Sequence, residues 1–279
     1  MNDFYVRLLG TGSPKPNIER FGPSQYINVG DTPILVDCGE GTTNQLLHAN
    51  VNPVDVKHVL FTHLHSDHVF GYSHLLLGGW SLGRDALTIV GPKGLKKFHE
   101  SILAMFEEDI NYRVNVLGIS SKGLLDVNII ELPEDGEEVE LDVDDVKITA
   151  APVIHNVKTF GFRFEFGAHS IVISGDTAPI ESLVDLSKDA DVLVIDAAIA
   201  PSVFNNPSSD PNIIKIKELL AKEHCSPKQA GQVGTDANVK KLVLTHLLPN
   251  TNVDEVYEDT KSTFAGEIIV GEDLLTIAP

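Results

Sequence analysis

The sequence predicts an α/β (α+β) protein: a four-layer αβ/βα sandwich in which two mixed sheets pack face to face and helices cover the outer surfaces. Three observations carry this. Strand patterns followed by helix patterns occur twice along the chain. Between these stretches, from Val127 to about residue 176, the pattern is almost wholly β. No repeat at a fixed period and no low-complexity linker interrupts the chain, so residues 1–279 read as a single domain. With 42% of the 279 residues hydrophobic, one large core is within reach.

In order, "FYVRLLG" is a strand that "TGSPKP" breaks, and "SQYINVG" with "PILVDCG" forms a hairpin. "TTNQLLHAN" is a short helix starting on a threonine cap. "VKHVLF" is a short strand, and apolar residues recur at helical spacing in "VFGYSHLLLGG". "LTIVGP" is a strand and "GLKKFHESILAMFEE" a helix. The β region follows, through "VKITAAPVIH" and "FGFRFEFGAHSIVISGDT", where Gly167 and Ala168 mark a tight hairpin. The acidic stretch 131–145 reads as a solvated hairpin. "ADVLVIDAA" is a strand, and "NNPSSDPN" at 205–212 is a loop by its turn residues. "IIKIKELLAKEH" and "SPKQAGQVGTDA" are helices that follow it, then "VKKLVLTH" is a strand. The helix "VDEVYEDTKSTF" and the short strands "EIIV" and "LLTIA" finish the chain.

Net charge is −19, with 40 acidic against 21 basic residues. That average field repels polyanions, and gripping nucleic acid needs a basic face, so a nucleic-acid partner is doubtful. No N-terminal apolar segment reads as a signal peptide, and no run has the length of a membrane span. The two cysteines, Cys38 and Cys225, allow at most one disulfide. The expected location is the reducing cytoplasm, with no membrane partner.

The densest chemistry lies in "FTHLHSDHVFG", residues 61–71, where His63, His65, Asp67 and His68 follow a strand and precede a helix. Buried imidazoles and carboxylates are costly unless hydrogen-bonded or bound to a metal, and this donor mixture suits zinc. Three further residues share one grammar, an apolar strand, then a ligand type, then a turn or helix. They are His155 after "VKITAAPVI", Asp176 after "HSIVISG" and His246 after "KKLVLT". Alone, a strand-end Asp is commonly a helix cap. Together with the cluster, the three point to a metal centre.

"THLHSDH", with single ligands at His155, in "SGDT" and in "LTH", resembles the metallo-β-lactamase fold hydrolases. "LLGTGSPKP", "GPSQYINVGDTPILVDCGEGTTNQL" and "EHCSPKQAGQVGTDANVKKLVLTHLLP" resemble the ribonuclease Z-like branch, which also holds small phosphodiesterases and arylsulfatase-like enzymes. The resemblance covers essentially the whole chain. It implies two zinc ions, with Mn2+ or Fe2+ as alternatives. One would be held by His63, His65 and His155, the other by Asp67, His68 and His246, with Asp176 bridging. A hydroxide bridging the two cations would attack the ester. Asp67 and His224 are the residues expected to carry catalysis. His224 stands where the branch places His-Ser-Thr, although this chain reads "HCSP". A Cys225–His224 nucleophilic dyad is disfavoured, since neighbours on a helix do not face each other.

Other residues are more ordinary. Asp37 in "LVDCGEGT" reads equally as a carboxylate orienting a ligand histidine or as a turn residue. Asp196 stands where the branch carries Glu after His, so transfer of that role is weakened. "GTGSP" lacks the Lys-Ser/Thr of a phosphate loop and reads as a tight turn near the site. Trp80 reads as a core aromatic before a pocket residue, and His48, His58, His74, His99 and His169 as surface or core histidines. The leading function is hydrolysis of small phosphodiesters or related sulfate esters. The alternatives are a transfer-RNA 3′-processing endonuclease and a lactone or thioester hydrolase. The first of these needs an RNA-gripping arm between His155 and Asp176, where only 20 residues intervene. Exposed helices and the resemblance admit a homodimer.

Overall fold

The computed structural model describes residues 3–133, 138–144, 146–204 and 207–279. The first half contributes β1 (Phe4–Gly10), β2 (Ser24–Val29), β3 (Thr32–Val36), β4 (His58–Leu60), β5 (Thr88–Gly91) and β6 (Asn128–Glu131). The second contributes β7 (Val139–Val143), β8 (Val146–Val153), β9 (Thr159–Phe166), β10 (His169–Ile173), β11 (Val192–Asp196), β12 (Lys241–Thr245) and β13 (Glu267–Val270). β14 (Thr276–Ile277) returns to pair with β1. The sheet orders are β14-β1-β2-β3-β4-β5-β6 and β13-β12-β11-β10-β9-β8-β7. Both are mixed: β3 to β6 run parallel, as do β10 to β13, and the other pairings are antiparallel.

Period-two alternation decides which side chains enter the space between the sheets. In β1, Phe4, Val6 and Leu8 join Ile27, Ile34 and Val36 against Phe160, Phe162 and Phe164 of β9. β11 is apolar from Val192 to Ile195 because both its faces are covered: Val192 and Val194 face the other sheet, Leu193 and Ile195 the helices. The helices are α1 (Thr42–His48), α2 (Ser66–Val69), α3 (Tyr72–Ser81), α4 (Leu95–Met105), α5 (Glu107–Asn111), α6 (Glu181–Leu186), α7 (Pro201–Phe204), α8 (Pro211–Leu220), α9 (Pro227–Asp236) and α10 (Val253–Lys261). α1, α3 and α4 cover the first sheet and α6, α9 and α10 the second. The four-layer αβ/βα sandwich is therefore present. Among the described residues, no helix is long and apolar enough to cross a membrane.

The Gly167 turn forms as expected, with Phe166 opposite His169 and Gly167 at φ +61°. Other expectations are corrected. α1 has no threonine cap: Gly41 caps it at φ +83°, and the Thr42 hydroxyl donates to the Gly39 carbonyl (2.8 Å). The helix after the histidine cluster begins inside it, since Asp67 and His68 belong to α2. The stretch 131–145 is not one hairpin, because β6 and β7 lie in different sheets; the hairpin is β7–β8, and residues 134–137 and 145 lie outside the described ones. The anticipated helix 94–108 is divided: α4 ends at Met105, and α5 takes in Glu107 and Glu108 and runs on to Asn111, followed by a π-helical turn, Tyr112–Val116, where no helix was anticipated. Within 205–212, residues 205 and 206 are outside the described set. Asp210 there caps α8, accepting from the Asn212 amide (2.8 Å) with Pro211 at the first helical position.

The turn after β3 packs backbone to backbone against the α2 segment. A Cβ on Gly39 would lie 2.5 Å from the Asp67 carbonyl oxygen. Gly39→Ala should therefore lower the thermal midpoint by roughly 5–10 °C, the cost of forcing these segments apart. A melting curve superimposed on that of the parent would show that the contact yields freely.

Candidate metal centre

The parallel strands of both sheets deliver their C-terminal ends to one edge, the place where open α/β sheets bind ligands. Asp37 follows β3, Thr62 and His63 follow β4, Asp176 follows β10, Asp196 ends β11 and His246 follows β12. His155 lies two residues past β8, which runs in the direction of β10. The Phe160 amide donates to the Thr62 carbonyl (3.0 Å), pinning the sheets together here.

All seven expected ligands converge. Potential ligand atoms of His63, His65, His155 and Asp176 lie within 4.8 Å of one another, as do those of Asp67, His68 and His246. Asp176 joins the groups. Its Oδ2 is 3.8 Å from His63 Nε2, 3.9 Å from His155 Nε2 and 3.2 Å from His246 Nε2, and its Oδ1 is 3.3 Å from His68 Nε2. Asp67 Oδ2 is 3.2 Å from His246 Nε2, and His65 Nδ1 faces His155 Nε2 at 3.2 Å.

What aims these nitrogens is the hydrogen bonding behind the rings. Asp37 is buried and accepts from the Thr62 amide, the Thr62 hydroxyl and His68 Nδ1, each at 2.8 Å. Because that hydroxyl donates to Asp37, its lone pair accepts from His63 Nδ1 (3.0 Å). His155 Nδ1 donates to the Glu223 carbonyl (3.0 Å). Three imidazoles thus have their rear nitrogen occupied and present Nε2 to the centre. His63 Nε2 and His68 Nε2 are buried without a hydrogen-bond partner. Orphaned atoms of that kind are costly, and a cation between imidazoles and carboxylates removes the cost. The residues present fit zinc. Burial pushes His63 well below its ordinary pKa, favouring the neutral form that binds metal. Burial opposes ionisation of Asp176, yet His246 and His68 beside it hold its carboxyl well below the usual range. Asp37 at φ +57° and His246 at φ +61° occupy the left-handed region, a strained backbone for both residues and a usual mark of a functional site.

His224 reaches the same place, though not from a helix end. α8 stops at Leu220 and a turn carries the chain on, so the expectation of a helix-terminal imidazole is corrected. Nδ1 of His224 donates to Asp196 Oδ2 at 2.7 Å, and Asp196 is itself fixed by the Thr177 and Ala198 amides at 3.2 and 2.8 Å. Asp196, discounted in the sequence for its shorter side chain, therefore does meet this imidazole. Burial works against the charged His224, and the Asp196 carboxylate outweighs it, raising the pKa to about 9. The ring stacks on His246 at 5.4 Å. Cys225 is in the core behind α9, which removes any cysteine nucleophile.

A cavity of about 630 Å³ opens beside the centre, lined by His65, Asp67, His155, Asp176, His224 and His246 among others. Among the lining residues that the sequence did not single out are Ser13 and Lys15. The hydroxyl of Ser13, in the "GTGSP" turn, is buried without a partner, and Lys15 is exposed beside it. Only the burial of that turn against Asp273, which accepts from the Thr11 amide and hydroxyl, reveals them. A larger cleft of about 830 Å³ shares no residue with the centre; it opens among Tyr5, Arg7, Tyr26 and His58, at the N-terminal ends of β3 and β4. Trp80 is a core residue, its indole donating to the Ser120 carbonyl (2.7 Å). His58 pairs with Asp144 and His99 meets the Tyr72 hydroxyl, while His48, His74 and His169 are exposed; none lines the cavity.

A family model described as "Beta-lactamase superfamily domain" matches residues 32–247. The chain belongs to that superfamily and is a metal-dependent hydrolase acting on ester bonds, with a divalent-metal site. Within the superfamily it is 34% identical over 278 residues to ribonuclease Z of Mycobacterium bovis, covering 96% of each chain. Against ribonuclease Z of Mycobacterium marinum it is 33% identical over 281 residues, with the same coverage. Its fold is similar to that of the metallo-β-lactamase fold protein YhfI from Bacillus subtilis (TM-score 0.76, 20% identity, 98% of each chain covered). The short form of human tRNase Z gives a TM-score of 0.73 at 24% identity, again over 98% of each chain.

Since Asp37 orients His68 directly and His63 through Thr62, Asp37→Ala should weaken zinc binding by roughly 10- to 100-fold. Competition against a chromophoric chelator measures this, and undiminished affinity would reduce Asp37 to a turn residue.

Proposed function

We propose that this chain hydrolyses phosphodiesters at a centre holding two zinc ions, and that the phosphodiester is that of an RNA 3′ end. The observation that carries the reaction is the buried His224–Asp196 pair set against the seven convergent candidate ligands, five of which line one cavity with His224. The two relatives named ribonuclease Z, each at about one-third identity over the length of both chains, support RNA as the substrate. The sequence placed small esters first because no arm fits between His155 and Asp176 and because the net charge of −19 disfavours a polyanion. Coverage of 96% of both chains leaves no room for an inserted arm in the Mycobacterium bovis relative either, so the missing arm loses its force.

When bound, the cations supply Lewis-acid polarisation of the ester and a nucleophile at neutral pH. The protein's own groups do the rest. Asp196 holds His224 by Nδ1, leaving Nε2–H of the imidazolium to protonate the departing oxygen. Ser13 and Lys15 line the cavity, where a hydroxyl and an ammonium can receive the charged oxygens of the substrate. Ligand imidazoles tied at Nδ1 stay fixed, so little reorganisation accompanies turnover.

A second reading, hydrolysis of small phosphodiesters or sulfate esters, is favoured by the net charge of −19, which disfavours long-range attraction of a polyanion.

Zinc-loaded protein, with about two ions per chain by elemental analysis, should cleave precursor transfer RNA at its 3′ end and also bis(p-nitrophenyl) phosphate. Cleavage of the small diester alone would transfer the assignment to the second reading, and cleavage of neither would end both. His224→Ala should keep its metal while losing roughly 10²-fold in turnover on substrates with poor leaving groups. The loss should shrink for p-nitrophenolate, which departs unprotonated; an equal loss on both would assign His224 to packing.

A further inference from the structure

α8 is an unusual helix: none of its ten residues is buried, although five of them are Ile or Leu. Ile213, Ile216 and Leu220 are spaced i, i+3 and i+7, so they share one face. That face lines the cavity of the metal centre, together with Phe204 of α7, Ile199 and Leu248. Five of the seven candidate ligands, His65, Asp67, His155, Asp176 and His246, line the same cavity with His224. Lys217 falls on this face too, and its amine donates to the Phe204 carbonyl (2.5 Å), tying α8 to α7. An apolar wall left open to water beside a reactive centre marks a ligand site.

Resting on the phosphodiester reading above, we infer that α8 walls a subsite for a flat, apolar group carried by the ester, either an aryl ring or an unstacked nucleobase. The charged part of the substrate meets the histidine and aspartate side of the cavity, and the flat group lies against Ile213 and Ile216. Such a group needs no hydrogen-bond partner on that side, and the aliphatic side chains provide none. The cavity, at about 630 Å³, holds a phosphate and a ring together.

The test keeps p-nitrophenolate as the leaving group and varies the other ester arm: methyl, phenyl, 1-naphthyl or thymidine-5′-yl. Zinc-loaded protein should favour the flat groups over methyl by roughly 10- to 100-fold in kcat/KM, the worth of burying one ring. Phenyl and naphthyl ahead of thymidine identify a hydrocarbon ring as the occupant; thymidine ahead identifies a nucleobase. In Ile213→Ser/Ile216→Ser the preference should collapse to within about threefold. Ile214→Ser/Leu219→Ser, on α8 but outside the cavity lining, should retain it. Equal rates for methyl and flat esters, or equal collapse in both double variants, would overturn the inference. Calorimetric binding of 1-naphthylphosphonate against methylphosphonate gives a readout free of turnover. If no diester is cleaved, the phosphodiester reading falls, while tighter binding of the naphthyl compound, lost in the first double variant only, still supports the subsite. Equal binding of the two phosphonates would remove it.

Discussion

The Asp37 carboxylate sits where the β3 turn, the end of β4 and α2 meet, and the metal centre is organised around it. It lies in the left-handed region of backbone space, is excluded from water, and accepts three hydrogen bonds from two different segments. A buried carboxylate so placed is tolerable only because every bond is made. Removing it would free the Thr62 hydroxyl and the His68 ring at once, and through the hydroxyl would release His63. One acidic side chain therefore sets two of the imidazoles on the first sheet's side of the site, while contributing no ligand atom itself.

The second sheet solves the same problem with other chemistry. His155 is held by a main-chain carbonyl and His224 by a carboxylate that main-chain amides have already fixed. His246 follows β12 directly, in a strained backbone conformation that turns its ring back over the cavity. The centre thus lies on the seam of the sandwich, with ligands from both layers. Its precision comes from strand ends and from bonds behind the rings, the arrangement expected of a preorganised hydrolytic site.

Most of the fold was legible because the strands are regular. Alternation in β1 and the uninterrupted apolar run of β11 report directly how many faces each strand buries. The seven candidate ligands were legible for a related reason, since each stands beside a strand end or in a dense run of donors. Less legible were features created by distant parts of the chain. Asp196 looked too short to matter, yet β11 and the turn before α9 bring it within 2.7 Å of His224. Ser13 carries no local signal, because its burial depends on Asp273, some 260 residues away, holding the Thr11 turn. The helix boundaries near His68 and His224 shifted because tertiary contacts, and not local propensity, decide where short helices start and stop.

The turn between α8 and α9 ties together two functions that are usually thought of separately. Glu223 offers its carbonyl to the ring of His155, and the next residue in the chain is His224. A shift of this turn moves the grip on one candidate ligand and the position of the proposed proton donor in the same motion. Leaving-group preference and metal retention are in that sense geared to each other. Variation within 221–226 would not be free to tune one without disturbing the other.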